Sequence, residues 1–556
     1  MSSRLVTFLC LLLTSLEVIS AMGGSDAKDS PAESPSEKFK FLYFGSIIGG
    51  SHYSALCKSG RELVRRHGHK VVSLISSSNT IDWQKDGDLF SFVVFSSSYT
   101  KRDRAEVMES VSAVLVTGAL APVFGPVISG VWNDLSGVAE MWLRECDVLL
   151  GDAKTMDILR EERFDMLVAD DTVPCSPLLA QALEIPFVLN SFMSVVPTKH
   201  GPWTGLPIDP SYIPERSLGF TDRMTFFQRV QNVLAHTYYG FYHYRLGLAN
   251  FDSYDALKIK YNIRPDISTF ESHKQALLLL LHGSFALEFP RPLLPNTVHV
   301  LHTPGLSSNQ TIEDDVAEFL GAATDGIVLF SFGTFARSMR SEQAQMFADG
   351  FAMLPYRVLW QTSTPPKLQL GQNTKLVKWL PLPTVMEHPS VKVFVSQCGA
   401  YGTYEAMWAG LPLVGIPLQE DQMGNIDRIV NRGAGLSLDI TTLTPEILSQ
   451  AIHEVVSEPK YRENARRVSL ILRDLQTSSP PVETAAQWIL HVTKFGGEHL
   501  RPAIHDLSYI QRNLLDVYLF LFVVSASMMA LVITSCYCCC CKRTRRNGSK
   551  DHVKHE

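Results

Sequence analysis

The sequence predicts an α/β protein made of two doubly wound domains, with a single membrane-spanning helix near the C-terminus. Three observations lead to this fold class. Short apolar strands alternate with helical patterns in two separate stretches of the chain, a Pro-rich segment lies between these stretches, and one long uncharged run lies close to the end. A chain of 556 residues is also too long for one ordinary domain.

The N-terminus has the features of a cleaved secretory signal peptide. Arg4 precedes an apolar run from Leu5 to Leu13, and several small residues follow this run. We therefore expect residues 1–24 to be a signal peptide that is removed. Residues 25–37 are rich in Ser, Pro and Glu and are expected to form a flexible leader.

The first domain is predicted from two strand–helix–strand units. Phe39 to Ile47 is predicted to be a buried strand, Tyr53 to Val64 has an apolar helical face, and Lys70 to Ile75 is predicted to be the next strand. The pattern recurs as "FDMLVADD", a helix over Pro177 to Leu183, and "IPFVLN". Residues 38–300 are assigned to this domain.

The second domain is predicted from the same alternation, which begins again at Gly326. In chain order it contains "GIVLFSFGT", a helix near Glu342 to Met353, "YRVLW", "KLVKWL", "VKVFVSQ", a helix near Gly402 to Trp408, and "LPLVGIP". The Pro-rich segment Glu288 to Gly305 is expected to join the domains, and 301–500 is assigned to the second. Ligands of such sheets bind beyond the carboxyl ends of the strands, so we expect the site in a cleft between the domains.

Val517 to Cys541 is predicted to be a transmembrane helix, because it has no charged residue and can cross a hydrocarbon core of about 30 Å. The positive-inside rule places the tail, 542–556, in the cytosol and both domains in a lumen or outside the cell. Asn309, which opens an Asn-Gln-Thr acceptor, would then be lumenal and glycosylated. The basic residues that set this orientation are Lys542, Arg543, Arg545 and Arg546.

A second uncharged run, Val111 to Trp132, is not expected to span the membrane. Pro122, Gly125, Pro126 and Gly130 interrupt it, and a second crossing would move the rest of the chain to the other side. We expect this run to line a site for a lipophilic substrate or to rest on the bilayer surface.

Composition argues against two classes of site. The formal net charge is -6 and no basic block precedes the last residues, so nucleic acid is not an expected partner. The cysteines of the predicted lumenal part are too few and too scattered for a CxxC metal site, and at most one structural disulfide is expected. These cysteines are Cys57, Cys146, Cys175 and Cys398.

Five longer segments carry a family resemblance, which is most specific in the second half of the chain. They are "GSHYSALCKSGRELVRRHGHKV", "FDMLVADDTVPCSPLLAQALEIPFV", "LEFPRPLLPN", "VKWLPLPTVMEHPSVKVFVSQCGAYGTYEAMWAGLPLVGIPLQEDQMGNI" and "HLRPAIHDLSYIQRNLLDVYLFL". Through them, residues 38–520 resemble the membrane-bound UDP-glycosyltransferases of animals, the family of the UDP-glucuronosyltransferases. The implied fold is two Rossmann-like domains that face each other across a cleft, the GT-B arrangement.

The resemblance implies an inverting glycosyltransferase that needs no metal or other cofactor. Such an enzyme moves a sugar, here glucuronic acid, glucose or another hexose, from UDP to a hydroxyl of a small lipophilic acceptor. The first domain would bind the acceptor and the second the UDP-sugar. The resemblance also implies the endoplasmic reticulum membrane as location and is compatible with homo- or hetero-oligomers formed with relatives. An NAD-dependent oxidoreductase is disfavoured, because neither first strand is followed by GxGxxG.

His52 and Asp170 match the catalytic pair of the family. His52 follows the Gly49-Gly50 turn, where an imidazole of near-neutral pKa can take a proton from an acceptor hydroxyl. Asp170 ends the strand "FDMLVAD" and matches the carboxylate that orients and charge-stabilises that imidazole. Asp171 is the alternative for this role, either carboxylate could instead cap the next helix, and replacing Asp171 is expected to be mild.

The donor half offers groups for each part of a UDP-sugar. Trp379 matches the aromatic residue that stacks on uracil, and Glu405 the carboxylate that grips the ribose hydroxyls. Asp421 and Gln422 match the pair that binds the sugar. Two helix starts suit the diphosphate, because free N–H groups and the helix dipole favour phosphate and glycine lets the backbone approach. The residues at these starts are Ser331, Gly333, Thr334, Gln397, Gly399 and Gly402.

Three positions depart from the family pattern. Gln397 stands where the family has His, Tyr401 where it has Asn, and Leu382 where it has Gln. A Gln amide can donate a hydrogen bond but carries no positive charge, and a phenol is bulky at a phosphate-binding turn. The alternative hypothesis is therefore a catalytically silent member of the family that binds UDP-sugar or acts as a partner subunit of active relatives.

Overall fold

The structure is a computed structural model. It describes residues 37–45, 50–80, 83–115, 132–192, 194–215, 218–240, 250–301, 311–333, 339, 341–362, 368–418 and 420–548. The predicted signal peptide, Asn309, Thr334, most of the apolar run after Val111 and the end of the cytosolic tail lie outside these residues, so their predictions stay predictions.

The first sheet has the order β3-β2-β1-β4-β5-β6-β7, and its strands are parallel. Its strands are β1 (Lys40–Phe44), β2 (Lys70–Ser76), β3 (Ser91–Phe95), β4 (Met166–Asp170), β5 (Phe187–Ser191), β6 (Leu279–Leu281) and β7 (Thr297–His299). The strand order reverses between β1 and β4, so the carboxyl ends of these two strands form the topological switch point where ligands of such sheets bind.

The second sheet is also parallel and has the order β10-β9-β8-β11-β12-β13. Its strands are β8 (Ile327–Ser331), β9 (Arg357–Gln361), β10 (Thr374–Val377), β11 (Val391–Ser396), β12 (Leu413–Gly415) and β13 (Gly435–Ser437). The switch point lies between β8 and β11, whose last residues, Ser331 and Ser396, are register partners.

Helices cover both faces of each sheet, which explains why the central strands are continuous apolar runs. The helices are α1 (Gly50–Arg65), α2 (Lys101–Leu115), α3 (Trp132–Gly151), α4 (Ala153–Glu161), α5 (Ser176–Ala182), α6 (Pro197–Thr204), α7 (Phe226–Tyr238), α8 (Phe251–Lys260), α9 (Thr269–Ser272), α10 (Asp314–Gly321), α11 (Ser341–Ala352), α12 (Leu382–Met386), α13 (Ala400–Trp408), α14 (Glu420–Asn431), α15 (Pro445–Ser457), α16 (Pro459–Ser478), α17 (Pro481–Phe495), α18 (Tyr509–Arg512) and α19 (Leu515–Gly548). The two doubly wound sheets that the sequence predicted are therefore confirmed.

The segment predicted to join the domains contains a strand. β7 lies within Glu288 to Gly305 and pairs with β6, so the first sheet continues to His299. The end of the predicted second domain also returns to the first sheet: α17 packs on α1, where Arg66 Nη1 lies 3.0 Å from Glu483 Oε2.

Helix α19 contains the predicted membrane span. In the described part of the chain, Leu515–Cys539 is the one helical segment long and apolar enough to cross a membrane, and none of it is buried against the protein. Its exposed side chains are large and apolar, as expected of a segment that faces lipid.

One disulfide joins Cys146 to Cys175, with their Cα atoms 5.6 Å apart. It connects α3 to Cys175, the residue before α5 in the segment that follows β4. Cys57 and Cys398 are buried free thiols. For the described residues this agrees with the expectation of at most one structural disulfide in the part of the chain before the apolar helix.

Candidate active site

His52 and Asp170 lie together at the switch point of the first sheet. His52 is in the first turn of α1, directly after β1, and Asp170 is the last residue of the neighbouring strand β4. His52 Nδ1 is 2.9 Å from Asp170 Oδ2. The other carboxylate oxygen accepts from the backbone N–H and hydroxyl of Thr172, at 2.9 and 2.7 Å. Asp170 is thereby fixed, and it holds the imidazole with Nδ1 donating and Nε2 left as the basic nitrogen.

Charge raises the basicity of His52. Burial alone would lower its pKa, but the charge and hydrogen bond of Asp170, joined by the charges of Asp171 and Asp421, raise the pKa above the ordinary value of 6.5. Asp421 belongs to α14 beside the second sheet, so its influence shows that both sheets contribute to the surroundings of this imidazole.

Asp171 has a different set of partners. Its Oδ2 lies 2.9 Å from Lys199 Nζ and 2.8 Å from His200 Nε2, and all three side chains are buried. The backbone N–H of Val196 donates to the other nitrogen of His200, at 3.0 Å. Burial alone would raise the pKa of Asp171, but Lys199 and His200 hold it well below its ordinary value. The structure thus places Asp170, and not Asp171, against His52.

Gln397 lies between the two turns predicted to bind the diphosphate. A Cβ added at Gly333 would lie 2.6 Å from Gln397 Nε2, and one added at Gly399 would lie 3.2 Å from it. Gly333 has φ +64°, so glycine is needed there for conformation as well as for space. Ser331 Oγ accepts from the Gly333 N–H at 3.2 Å, which shapes the first turn.

The second diphosphate turn leads into α13. Cys398 adopts φ +65°, the left-handed region, and its N–H donates to Ser396 Oγ at 3.1 Å. α13 then begins at Ala400 and is nine residues long, and the first N–H groups of a helix have no partner within the helix. A Cβ added at Gly402 would lie 3.4 Å from the Phe394 ring, an ordinary van der Waals distance, so the predicted contact of Gly402 with the diphosphate stays a prediction.

The predicted uracil and ribose residues differ in environment. Trp379 is 59% exposed and offers an open ring face. Glu405, on α13, is partly buried, and burial raises its pKa to about 7 against the opposing charge of Lys58. Leu382 is the first residue of α12, where the family has Gln.

The predicted sugar-binding pair lies in the first turn of α14. Gln422 Oε1 accepts from the Leu418 N–H at 2.8 Å, so this oxygen holds the backbone before the helix. Asp421 Oδ2 accepts from Asn425 Nδ2 at 3.1 Å, and Asn425 also donates to the Cys398 carbonyl at 2.9 Å. Asn425 ties α14 to the diphosphate turn, a contact that no sequence motif indicated.

Tyr401 reaches from α13 to the first sheet. Its hydroxyl is 3.0 Å from Nδ1 of His282, which directly follows β6. The phenol that was expected to crowd the diphosphate turn therefore has a partner on the other side of the cleft. Neither residue carries a sequence signal that links it to the other.

Comparisons with known proteins agree with this geometry. The family model described as UDP-glucoronosyl and UDP-glucosyl transferase matches residues 46–551. UDP-glucuronosyltransferase 2B17 of Homo sapiens is 32% identical over 504 residues, which cover 90% of this chain and 93% of the relative. UDP-glucuronosyltransferase 2B19 of Macaca fascicularis is 33% identical over 511 residues, covering 90% and 94%.

Solved structures share the fold at low sequence identity. The glycosyltransferase of kitacinnamycin matches with a TM-score of 0.55 and 18% identity, covering 82% of this chain and 99% of its own. CalG4, the calicheamicin glycosyltransferase, matches with a TM-score of 0.52 and 17% identity, with the same coverage. These neighbours establish the GT-B arrangement of the two sheets. The family match across most of its length and the relatives at 32% and 33% identity show that this chain belongs to the UDP-glycosyltransferase family and is a glycosyltransferase of the UDP-glucuronosyltransferase type.

Proposed function

We propose that this enzyme transfers glucuronic acid, glucose or another hexose from UDP to a hydroxyl of a small lipophilic acceptor, with inversion and without a metal. The observation that carries the proposal is the His52–Asp170 pair at the carboxyl ends of β1 and β4. The charge of Asp421, from the donor half, acts on the same imidazole.

In the proposed reaction His52 is the general base. Its Nε2 takes the proton of the acceptor hydroxyl while that oxygen attacks the anomeric carbon from the face opposite UDP. The bond from the sugar carbon to the acceptor oxygen forms, the bond to the phosphate oxygen breaks, and UDP leaves with the electron pair. Asp170 stabilises the imidazolium that results. A single displacement inverts the anomeric centre, which product NMR would reveal.

The donor half holds the UDP-sugar in this proposal. Trp379 stacks on uracil, Glu405 accepts from the ribose hydroxyls, and Asp421 with Gln422 meets the sugar. The turns at Ser331, Gly333 and Thr334 and at Gln397, Gly399 and Gly402 receive the diphosphate, where N–H groups at the start of α13 offset the charge that grows on departing UDP.

We further propose a lumenal orientation in the endoplasmic reticulum membrane. α19 is apolar enough to span a bilayer, and the basic residues after Cys541 favour a cytosolic tail. A lipophilic acceptor that partitions into the membrane would then reach the first domain from the same surface.

Asp170→Asn tests the proposed base through its pH dependence. His52 works when neutral, so wild-type turnover should rise with pH through a midpoint above 6.5. Removing the Asp170 charge and hydrogen bond leaves burial, the largest cause and one that lowers the pKa, opposed only by the charges of Asp171 and Asp421, so the midpoint should move to lower pH. The plateau of kcat should also fall by about 10²–10⁴, because the imidazole loses its orientation. A kcat profile with an unchanged midpoint would contradict the pairing.

Gln397→His tests the departure at the diphosphate turn. An imidazolium there adds a charge-assisted hydrogen bond that strengthens as UDP leaves, so turnover should increase by up to about tenfold. Gln397→Leu is the matched control: it removes the donor and should lower turnover. Initial rates of UDP release measure both. A large decrease with His would show that the turn, including Gly333, is built around the amide.

A further inference from the structure

Two tyrosines of α13, one helical turn apart, contact the segment after β6 in different ways. The Tyr404 hydroxyl accepts from the Ser284 N–H and donates to Glu288 Oε1, both at 3.1 Å. Arg428 Nε lies 3.2 Å from the other oxygen of Glu288. Tyr404 therefore anchors α13 to a buried ion pair that contains none of the proposed catalytic or donor-binding groups.

Tyr401 belongs instead to a chain of contacts that ends at His52. Beyond its bond to Tyr401, His282 has Nε2 3.2 Å from Asn190 Oδ1. The His282 ring lies against Phe192, with centroids 5.1 Å apart, and the other neighbour of Phe192 is the His52 ring, at 4.6 Å. Phe192 is 3% exposed, and its ring contacts both imidazoles.

The two hydrogen bonds that link Tyr401, His282 and Asn190 run in the same direction. Burial holds the pKa of Tyr401 well above its ordinary value, so the phenol keeps its proton and donates to His282 Nδ1. His282 Nε2–H then donates to Asn190 Oδ1. His282 keeps one orientation because both of its ring nitrogens have partners.

The other side of Tyr401 faces the helix that carries His52. Lys58 of α1 places its Nζ 5.6 Å from the centre of the Tyr401 ring, a cation–π distance. Tyr401 thus touches α1 through Lys58 and the end of β6 through His282. Tyr401 stands in the first turn of α13, the helix whose N-terminus is proposed to receive the diphosphate. A shift of α13 on donor binding would therefore act on α1 and on the end of β6.

We propose that Tyr401 and His282 are positioning residues that hold Phe192 against His52 and so couple the donor-binding helix to the orientation of the catalytic imidazole. The proposal rests on the role of His52 proposed above. It accounts for the phenol at Tyr401, which replaces a small polar side chain by one long enough to cross the cleft.

Tyr401→Phe tests this, because it removes the hydroxyl and keeps the ring. We expect kcat to fall by about tenfold, as a slightly displaced base does, with KM for the UDP-sugar changed by no more than about twofold. Tyr404→Phe is the control on the same helix: it breaks two buried hydrogen bonds between α13 and the segment after β6, and it should lower thermal stability with kcat nearly unchanged. Equal losses of kcat in the two variants would overturn the proposal.

A second measurement does not depend on turnover. The full chain in detergent is treated with diethyl pyrocarbonate, and the acylation of the His52 peptide is followed by mass spectrometry. Acylation of His52 should become faster in Tyr401→Phe and stay as in wild type in Tyr404→Phe. Unchanged labelling in Tyr401→Phe would overturn the proposal even if no UDP-sugar is turned over, whereas missing turnover with altered labelling would count against the proposed function alone.

Phe192→Leu tests whether the Phe192 ring couples His282 to His52. If the ring transmits the contact, this substitution should reproduce the loss of kcat, and the double variant with Tyr401→Phe should be no worse than either single one. Losses that multiply would show that the two residues act separately, which would contradict the coupling.

Discussion

His52→Ala should lower kcat by about 10²–10⁴ and leave UDP binding nearly unchanged. The imidazole is the group that takes the acceptor proton in the proposed reaction, and its Nδ1 is held 2.9 Å from Asp170, the last residue of β4. The proposed uracil and ribose contacts belong to the other half of the chain: Trp379 follows β10 and Glu405 lies on α13. Initial rates give kcat, and calorimetry with UDP gives the affinity.

The control for this prediction is another histidine substitution. His491→Ala, on α17, removes an imidazole that contacts His499 and lies outside the proposed site. Its kcat should equal that of wild type. If His52→Ala retains full turnover, the base lies elsewhere and the reaction proposed for the pair is wrong.

Asp171→Asn should destabilise the protein by about 3–5 kcal/mol, the usual cost of breaking a buried ion pair. The substitution leaves Lys199 charged and only 7% exposed without its carboxylate. The sequence alone led us to expect a mild effect on turnover, which stays a prediction; the loss of stability is expected from the buried partners of Asp171, which become visible only in the fold. Thermal and denaturant unfolding of the full chain in detergent would measure the loss.

A double variant separates the buried charge from other causes. Asp171→Asn combined with Lys199→Met removes both charges, so much of the lost stability should return, as when a buried pair is replaced by apolar groups. A double variant as unstable as the single one would show that the carboxylate acts through His200 or the backbone and not through Lys199.

The parts that could be predicted from sequence are those with a local cause. Four central strands are buried runs of apolar residues, and the sequence predicted them as strands for that reason: β1, β4, β8 and β11. His52 and Asp170 follow from this, because residues at the carboxyl ends of neighbouring parallel strands meet at the same edge of a sheet.

The parts that could not be predicted depend on distant contacts. β7 is three residues long within a Pro-rich segment and is a strand because β6 lies beside it. Tyr401 and His282 are 119 residues apart and belong to different sheets, so no periodicity relates them. Asp171 and Lys199 are 28 residues apart, and no sequence pattern relates them. From the sequence, Asp171 could equally well have capped the next helix.

The most direct test is the release of UDP by the purified full-length protein from a panel of UDP-sugars, with and without a lipophilic phenol or alcohol as acceptor. We predict release that requires the acceptor, is fastest with one of the UDP-hexoses or UDP-glucuronic acid, and is lost in His52→Ala. No release from any UDP-sugar by a folded protein that still binds UDP would contradict this and identify a catalytically silent member of the family.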